Sequence, residues 1–277
     1  MAKIVIETGD VTPIIDELKM LESQRRIALR QQIRMLLSTL SMVRVGMGWK
    51  WDDEEEGRKK MNDRAKAVLM AAWNGKEPPT GDDAEHAANM WGLMLAFQTP
   101  YEAFDGIVSQ LGKRARNLAK RLPVSVWIAQ QPGFSMDTLA RLVGVLGNPD
   151  DYRHWKLCCK KLGLSPYRGK LASSWRSSKD DKLTAEEWVA FGYSPMNRSM
   201  IHMVGDAQIR NRSPYRKVYD QHKAKEVARE DENKPKSPMH AHRRAMVVME
   251  RRMVRDFWCA WRYGTHVAPE AVAELVA

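Results

Sequence analysis

Gln131-Pro132-Gly133-Phe134-Ser135 interrupts an otherwise helical pattern. A short helical segment, Val124 to Ala129, precedes it, and an apolar run marked by Leu139, Leu142, Val143 and Leu146 follows. Helix, Pro-Gly turn, helix is the layout of a helix-hairpin-helix element. Its chemistry rests on the backbone N–H groups at the start of the second helix, which have no intrahelical partner. Together with the helix dipole they can hold a phosphate oxygen. Such a contact reads no base sequence. Pro132, Gly133, Phe134 and Ser135 are therefore candidate phosphate-binding residues. The usual motif carries a second glycine where Ser135 stands; a hydroxyl there can donate to a phosphate or cap the helix, with Asp137 in its first turn. The competing reading is an ordinary connection between two packed helices.

The charge balance favours a polyanionic partner. The 277-residue chain has 45 Lys and Arg against 34 Asp and Glu, a net charge of +11. Cations that displace counterions from phosphates supply most sequence-independent nucleic-acid affinity. Arg114, Arg116 and Lys120 crowd the end of the helix that leads to the hairpin; Lys160, Lys161, Lys170 and Arg176 follow it. These are the candidate backbone contacts, against the alternative that they form a solvated face. Other chemistries find little footing. No Gly-rich phosphate loop of the Walker or Rossmann type is present, so no nucleotide cofactor is expected. His240 and His242, two apart, face different sides of a helix and share no metal. The acids from Asp52 to Glu56 read as a solvated loop or helix start rather than a metal site. Three cysteines, Cys158, Cys159 and Cys259, suit neither a disulfide framework nor a zinc ribbon. The N-terminal MAKIVIETGD lacks the layout of a signal peptide, and no apolar run reaches the length of a membrane span. The expectation is an intracellular, cytoplasmic protein associated with the nucleoid.

The elements that position these residues read as mainly α. Lys3 to Glu7 alternates like a short strand. A long helix runs from Thr12 to about Val45, with Ile14, Leu18, Leu21, Ile33, Leu36, Leu37 and Leu40 near helical spacing. Helices follow over about Asn62–Trp73 and Asp82–Phe97, the latter ended by Thr99-Pro100. An amphipathic helix with Phe104, Ile107, Leu111 and Leu118 on one stripe spans Tyr101–Leu122. Beyond the hairpin come His154–Leu162, a polar loop over Arg168–Lys182, and a short helix with a capping box at Thr184–Glu187. Helices from Pro195 to Arg210, from Ser213 to about Arg229 and from His240 to Arg262 close the pattern. On the last, Met246, Met249, Met253, Phe257, Trp258 and Trp261 make a stripe that serves either the core or a partner.

The order of these segments is specific: a charged helix, PGFS, LARLVGVLG, NPDDYRHWKLCCKKLGLSP, a polar loop, GYSPMNRSMIHMVGDA, SPYRKVYDQHK and HAHRRAMVVMERRMVRDFWCAWR. From Tyr101 to Arg262 it resembles the C-terminal domain of the bridge-RNA-guided insertion-sequence transposases. In those enzymes a RuvC-like nuclease domain is joined by a coiled-coil helix to a helical domain containing a helix-hairpin-helix. Residues 1–100 offer one strand and several helices in place of the RuvC-like domain. The resemblance implies a nucleophilic serine shortly after the GL-x-P segment, for which Ser173 and Ser174 are the nearest residues. It also implies a phage or mobile-element setting, a homodimer through the 101–122 helix, and DNA or structured RNA as partner.

Three regions result: a helical N-terminal region (1–98), a transposase-like helix-hairpin-helix domain (99–264) and a tail (265–277). The expected function is sequence-tolerant nucleic-acid binding, duplex DNA first. The alternatives are a serine-dependent recombinase using Ser173 or Ser174, and a protein-interaction module with no nucleic-acid role.

Overall fold

A computed structural model describes residues 10–50, 54–75, 81, 83–177, 182–231, 234–235 and 237–264. The fold is mainly α, with no strand among the described residues beyond an isolated Tyr167–Lys170 bridge. The expected strand at Lys3–Glu7 lies outside the described residues. The helices are α1 (Thr12–Gly46), α2 (Glu55–Trp73), α3 (Ala84–Ala119), α4 (Ser125–Gln130), α5 (Met136–Leu146), α6 (Trp155–Lys161), α7 (Ala172–Ser177), α8 (Ala185–Phe191), α9 (Pro195–Arg210), α10 (Pro214–Val227) and α11 (Pro238–Tyr263). None is long and apolar enough to cross a membrane.

The chain divides into two compact units. One, residues Ser23–Lys113, holds most of α1 and α3 and all of α2. The other takes the described residues up to Glu22 together with those from Arg114 onward. The expected boundary between residues 98 and 99 falls inside α3, because the unit boundary follows packing between residues far apart in sequence.

In the Ser23–Lys113 unit, Val43, Met47, Val68, Leu69, Ala72, Ala87 and Met94 are buried together, with Leu36, Leu40 and Trp91 at the edge. Ile33 and Leu37, read from spacing as part of the buried stripe of α1, are instead 46% and 57% exposed. The polar Gln32 takes an inward position, its Nε2 donating to Asp105 Oδ1 of α3 at 2.9 Å. Two boundaries also differ from expectation. α2 starts at Glu55, since Glu55 and Glu56 suit the positive end of a helix. Helix α3 passes straight through Pro100. A proline inside a helix costs about 3 kcal/mol, and here Trp73 braces the turn. Its Nε1 donates to the Met94 carbonyl at 2.8 Å, its own carbonyl accepts from Gln98 Nε2 at 3.0 Å, and its ring lies 4.6 Å from that of Tyr101.

The larger unit is built around α11. Its buried face, Ala245, Met246, Met249, Met253, Phe257 and Trp258, packs against α6, α9 and α10. The Met/Trp stripe is thus core and not a partner surface; Trp261, half-buried, donates from Nε1 to Asp150 Oδ2 at 3.2 Å. Helix α9 crosses α11 at Gly205, where a Cβ would stand 3.1 Å from Glu250 Cγ. Glu250 is fully buried there, paired with Arg198 (Nη2–Oε2 3.0 Å) and with His202 (Nδ1–Oε1 3.2 Å). A buried carboxylate is tolerable only with such partners. Local signals set the helix starts. Ser194-Pro195, Ser213-Pro214 and Ser237-Pro238 each place proline in the first turn, where its missing N–H is no loss.

Candidate nucleic-acid interface

At residues 131–135 a turn joins two helices. Helix α4 ends at Gln130, Phe134 N donates to Gln131 O at 3.1 Å, and α5 begins at Met136. Gly133 has φ of 84°, a region glycine alone enters freely. The turn leans on α9: a Cβ on Gly133 would meet Gln208 Nε2 at 2.9 Å and the Ala207 carbonyl at 3.0 Å. Phe134 sits between the rings of Trp127 (5.7 Å) and Tyr215 (6.3 Å). Tyr215 is buried, which pushes its phenol pKa up, and Asp256 beside it adds to the shift. Ser135 caps α5, its Oγ accepting from Thr138 N at 3.2 Å. Asp137 follows in the first turn and pairs with Arg141 at 2.8 Å and Arg116 at 4.0 Å.

The cations before and after the hairpin are used unevenly. Arg114 pairs with Glu17, and Lys120 Nζ lies 3.4 Å from Asn117 Oδ1. Lys161 Nζ donates to the Leu146 carbonyl at 3.1 Å, where Tyr152 Oη also donates at 2.6 Å; the pair closes the C-terminus of α5. Lys160 is exposed at the end of α6. Of the stripe on the 101–122 segment, Ile107 is 44% exposed, Phe104 and Leu111 are half-buried, and Leu118 is buried.

Lys170 and Arg176 are brought together with residues that the spacing did not single out. Arg168–Lys182, expected to be a loop, contains a tight turn and helix α7. Tyr167 N donates to Lys170 O at 2.9 Å and Lys170 N returns to Tyr167 O at 3.1 Å. Between them Arg168 and Gly169 take φ of 48° and 77°. Both central residues at positive φ make this a hairpin turn of the kind that glycine favours at one position and Arg168 strains at the other. Helix α7 forms because Trp175 is buried with Ala172, Leu183 and Phe191, and its Nε1 donates to Tyr167 O at 3.0 Å. Ser173 and Ser174 both lie on this helix.

An aromatic stack lies under these cations. Phe191 stacks on Tyr167 (5.3 Å, 21°) and on Trp188 (5.8 Å, 18°), while Tyr193 tilts against Trp188 at 5.9 Å. Arg168 lies 5.3 Å from the Tyr167 ring centre, Lys170 4.5 Å from that of Trp175, and Arg176 5.9 Å and 5.1 Å from those of Trp188 and Tyr193. Ring quadrupoles attract these cations without neutralising their charge. Arg168 also pairs with Glu187, which the capping box of α8 holds in place: Thr184 N donates to Glu187 Oε2 at 2.9 Å and Glu187 N to Thr184 Oγ1 at 3.2 Å. Arg176 has rings, and no carboxylate, beside it among the described residues. No spacing in the sequence signals this set: Arg176 lies over Trp188 and Tyr193 rather than over its neighbour Trp175, whose ring lies under Lys170.

The three cysteines are buried. Cys158 and Cys159 are buried thiols, and burial pushes both up to about 12, far from the thiolate that reacts. His240 and His242 part as expected: Arg244 Nε donates to His240 Nε2 at 3.1 Å, whereas His242 Nδ1 lies 2.7 Å from Tyr219 Oη. The chain matches no family model, no curated protein and no solved structure.

Proposed function

We propose that this protein binds nucleic acid, with duplex DNA as the first ligand to test, through sequence-tolerant contacts to the phosphate backbone. The observation that supports this reading best is the face around Tyr167–Tyr193. Arg168, Lys170 and Arg176 are exposed there and laid over aromatic rings. A guanidinium held by rings, as that of Arg176 is, keeps its N–H donors at its edge and its charge available to a phosphate, while Arg168 would share its charge between Glu187 and the phosphate. The net charge of +11 draws the polyanion towards it from a distance. The order of segments from Tyr101 to Arg262, which resembles the transposase domain, agrees with a nucleic-acid partner and adds the mobile-element setting to the proposal.

Fluorescence anisotropy of the purified chain with a labelled duplex, across a salt series, tests the reading. Affinity is expected to fall steeply with salt. The double variant Arg168→Ala/Arg176→Ala is expected to bind about tenfold or more weakly and to lower the salt slope by one to two, since each cation removed releases about one counterion fewer. Equal binding by wild type and double variant would remove the face from the interface. Absence of binding at moderate salt would end the nucleic-acid reading.

A further inference from the structure

Resting on the nucleic-acid reading, the stack narrows the kind of nucleic acid. The contacts form a linked series: Arg168 on Tyr167, Tyr167 on Phe191, Phe191 on Trp188, Trp188 under Arg176. Phe191 is buried in its middle at 2% exposure, and Tyr167 and Trp188 are half-buried. The series ends on both sides in a guanidinium, and both arginines are exposed, Arg168 with 62% of its side chain open to solvent.

A guanidinium is a flat, delocalised ion of about the width of a base ring, and it is weakly hydrated over its faces. Arg168 lies 5.3 Å from the Tyr167 ring centre and Arg176 5.9 Å from that of Trp188, and both side chains are also open to solvent, where a base can reach them. Unpaired bases stack on aromatic rings and equally on arginine planes. A paired base inside a continuous duplex has both faces already covered by its neighbours and gains nothing from such a surface.

Both ends are fixed before any ligand arrives. Glu187 holds Arg168 from one side while the capping box holds Glu187. Arg176 is held by the neighbouring rings of Trp188 and Tyr193, 5.9 Å and 5.1 Å from their centres. Ordering a long side chain on binding is a cost that these contacts have already met within the fold. Arg168 even keeps a positive φ, a conformation that costs a non-glycine residue energy and places its side chain at the tip of the turn.

We infer that Arg168 and Arg176 are stacking platforms for unpaired bases, and that the preferred ligand is nucleic acid carrying unpaired nucleotides, such as a bubble, gap or loop, over perfect duplex of the same length. Phosphate contact by the same arginines accounts for binding; stacking accounts for the preference.

Arginine-to-lysine substitution separates the two, because it keeps the charge and removes the plane. Anisotropy with three probes of equal length and labelling decides it: a perfect duplex, the same duplex with a central unpaired thymidine tract, and that tract as uridine in an RNA stem-loop. Wild type is expected to bind the probes with unpaired bases about five- to tenfold more tightly than the duplex, the scale of one stacked base. Arg168→Lys/Arg176→Lys is expected to lose that preference, its affinities for the three probes falling within about twofold of one another. A 2-aminopurine in the unpaired tract is expected to change fluorescence on wild type and not on the double variant. Equal wild-type affinity for duplex and interrupted duplex overturns the inference while leaving the proposed function standing. So does a lysine variant that keeps the preference. Failure to bind any probe overturns both. Equal binding of the thymidine and uridine tracts assigns the preference to the bases, and a large difference assigns it to the sugar and overturns stacking as its source.

Discussion

Two places in the larger unit offer a glycine-containing turn next to cations, and they differ in what surrounds the turn. At residues 132–135 the side chains, and the Phe134 and Thr138 N–H groups, have neighbours within the protein. Ser135 Oγ accepts from Thr138 N, Gly133 faces Gln208 and the Ala207 carbonyl, Phe134 is held by two rings, and Asp137 brings a carboxylate to the start of α5. Arg116 leans towards that carboxylate and Arg114 towards Glu17. At residues 167–170 the turn lies at the surface, a Cβ on Gly169 would meet nothing within 4 Å, and the cations rest on rings, with Arg168 also paired to Glu187. A turn geometry supplies donors, but the neighbours decide whether a ligand can use them. The comparison weighs towards the second turn as the contact surface and towards the first as a brace between α5 and α9.

The sharpest way to break this comparison is Gly133→Val. A branched residue at φ 84° is strained, and its Cβ would meet atoms at 2.9 to 3.1 Å. Strain and overpacking together predict a loss of about 2–5 kcal/mol. The urea midpoint should fall, and any loss of nucleic-acid affinity should track the unfolded fraction. A variant that stays as stable as wild type and no longer binds would return the phosphate site to the hairpin.

Much of this arrangement was legible because local chemistry dictates it. Pro132-Gly133 before Ser135 favours a turn and a helix cap, and a turn followed by a Ser135 cap stands there. The capping box at Thr184–Glu187 was equally plain. What escaped depends on residues far apart in the chain. Pro100 reads as a helix stop until Trp73 is known to brace its turn. The polar stretch Arg168–Lys182 reads as a loop because Leu171, Ala172 and Trp175 are too few among serines and lysines to mark a helix; only Phe191 and Leu183 from α8 and its approach give that tryptophan a core to enter. Periodicity put Ile33 and Leu37 on the buried stripe, but over a helix as long as α1 the buried side is set by whatever packs against each turn. The stack itself has no spacing rule: Tyr167, Trp188 and Phe191 meet because a hairpin and a short helix fold together, which no single window of sequence displays.

A smaller effect sharpens the first half of the comparison. Ser135→Ala removes the cap of α5 and should cost about 1 kcal/mol of stability. If Ser135 only caps, binding at a fixed low temperature, where both proteins are folded, should not change. A loss of affinity larger than the loss of stability would show its hydroxyl on a phosphate, and the two turns would then act together.

The smallest expected effects come from two adjacent lysines that the spacing treats alike. Both are exposed, but Lys161 Nζ closes the end of α5 on the Leu146 carbonyl and lies 5.8 Å from the Tyr152 ring centre, whereas Lys160 makes neither contact. Lys161→Ala should therefore cost about 1 kcal/mol, the worth of one hydrogen bond from a charged donor that is partly screened by solvent. Lys160→Ala should leave stability within about 0.5 kcal/mol. On binding the order reverses. Lys160 is the one able to reach a phosphate, so its loss should lower the salt slope by up to about one, while Lys161→Ala should leave the slope where it was. Thermal melts and a salt titration on the two variants read both effects. If Lys161→Ala changes the slope and Lys160→Ala does not, the nucleic acid runs over the end of α5 rather than past the end of α6, and the interface would extend from the 167–193 face back towards the hairpin.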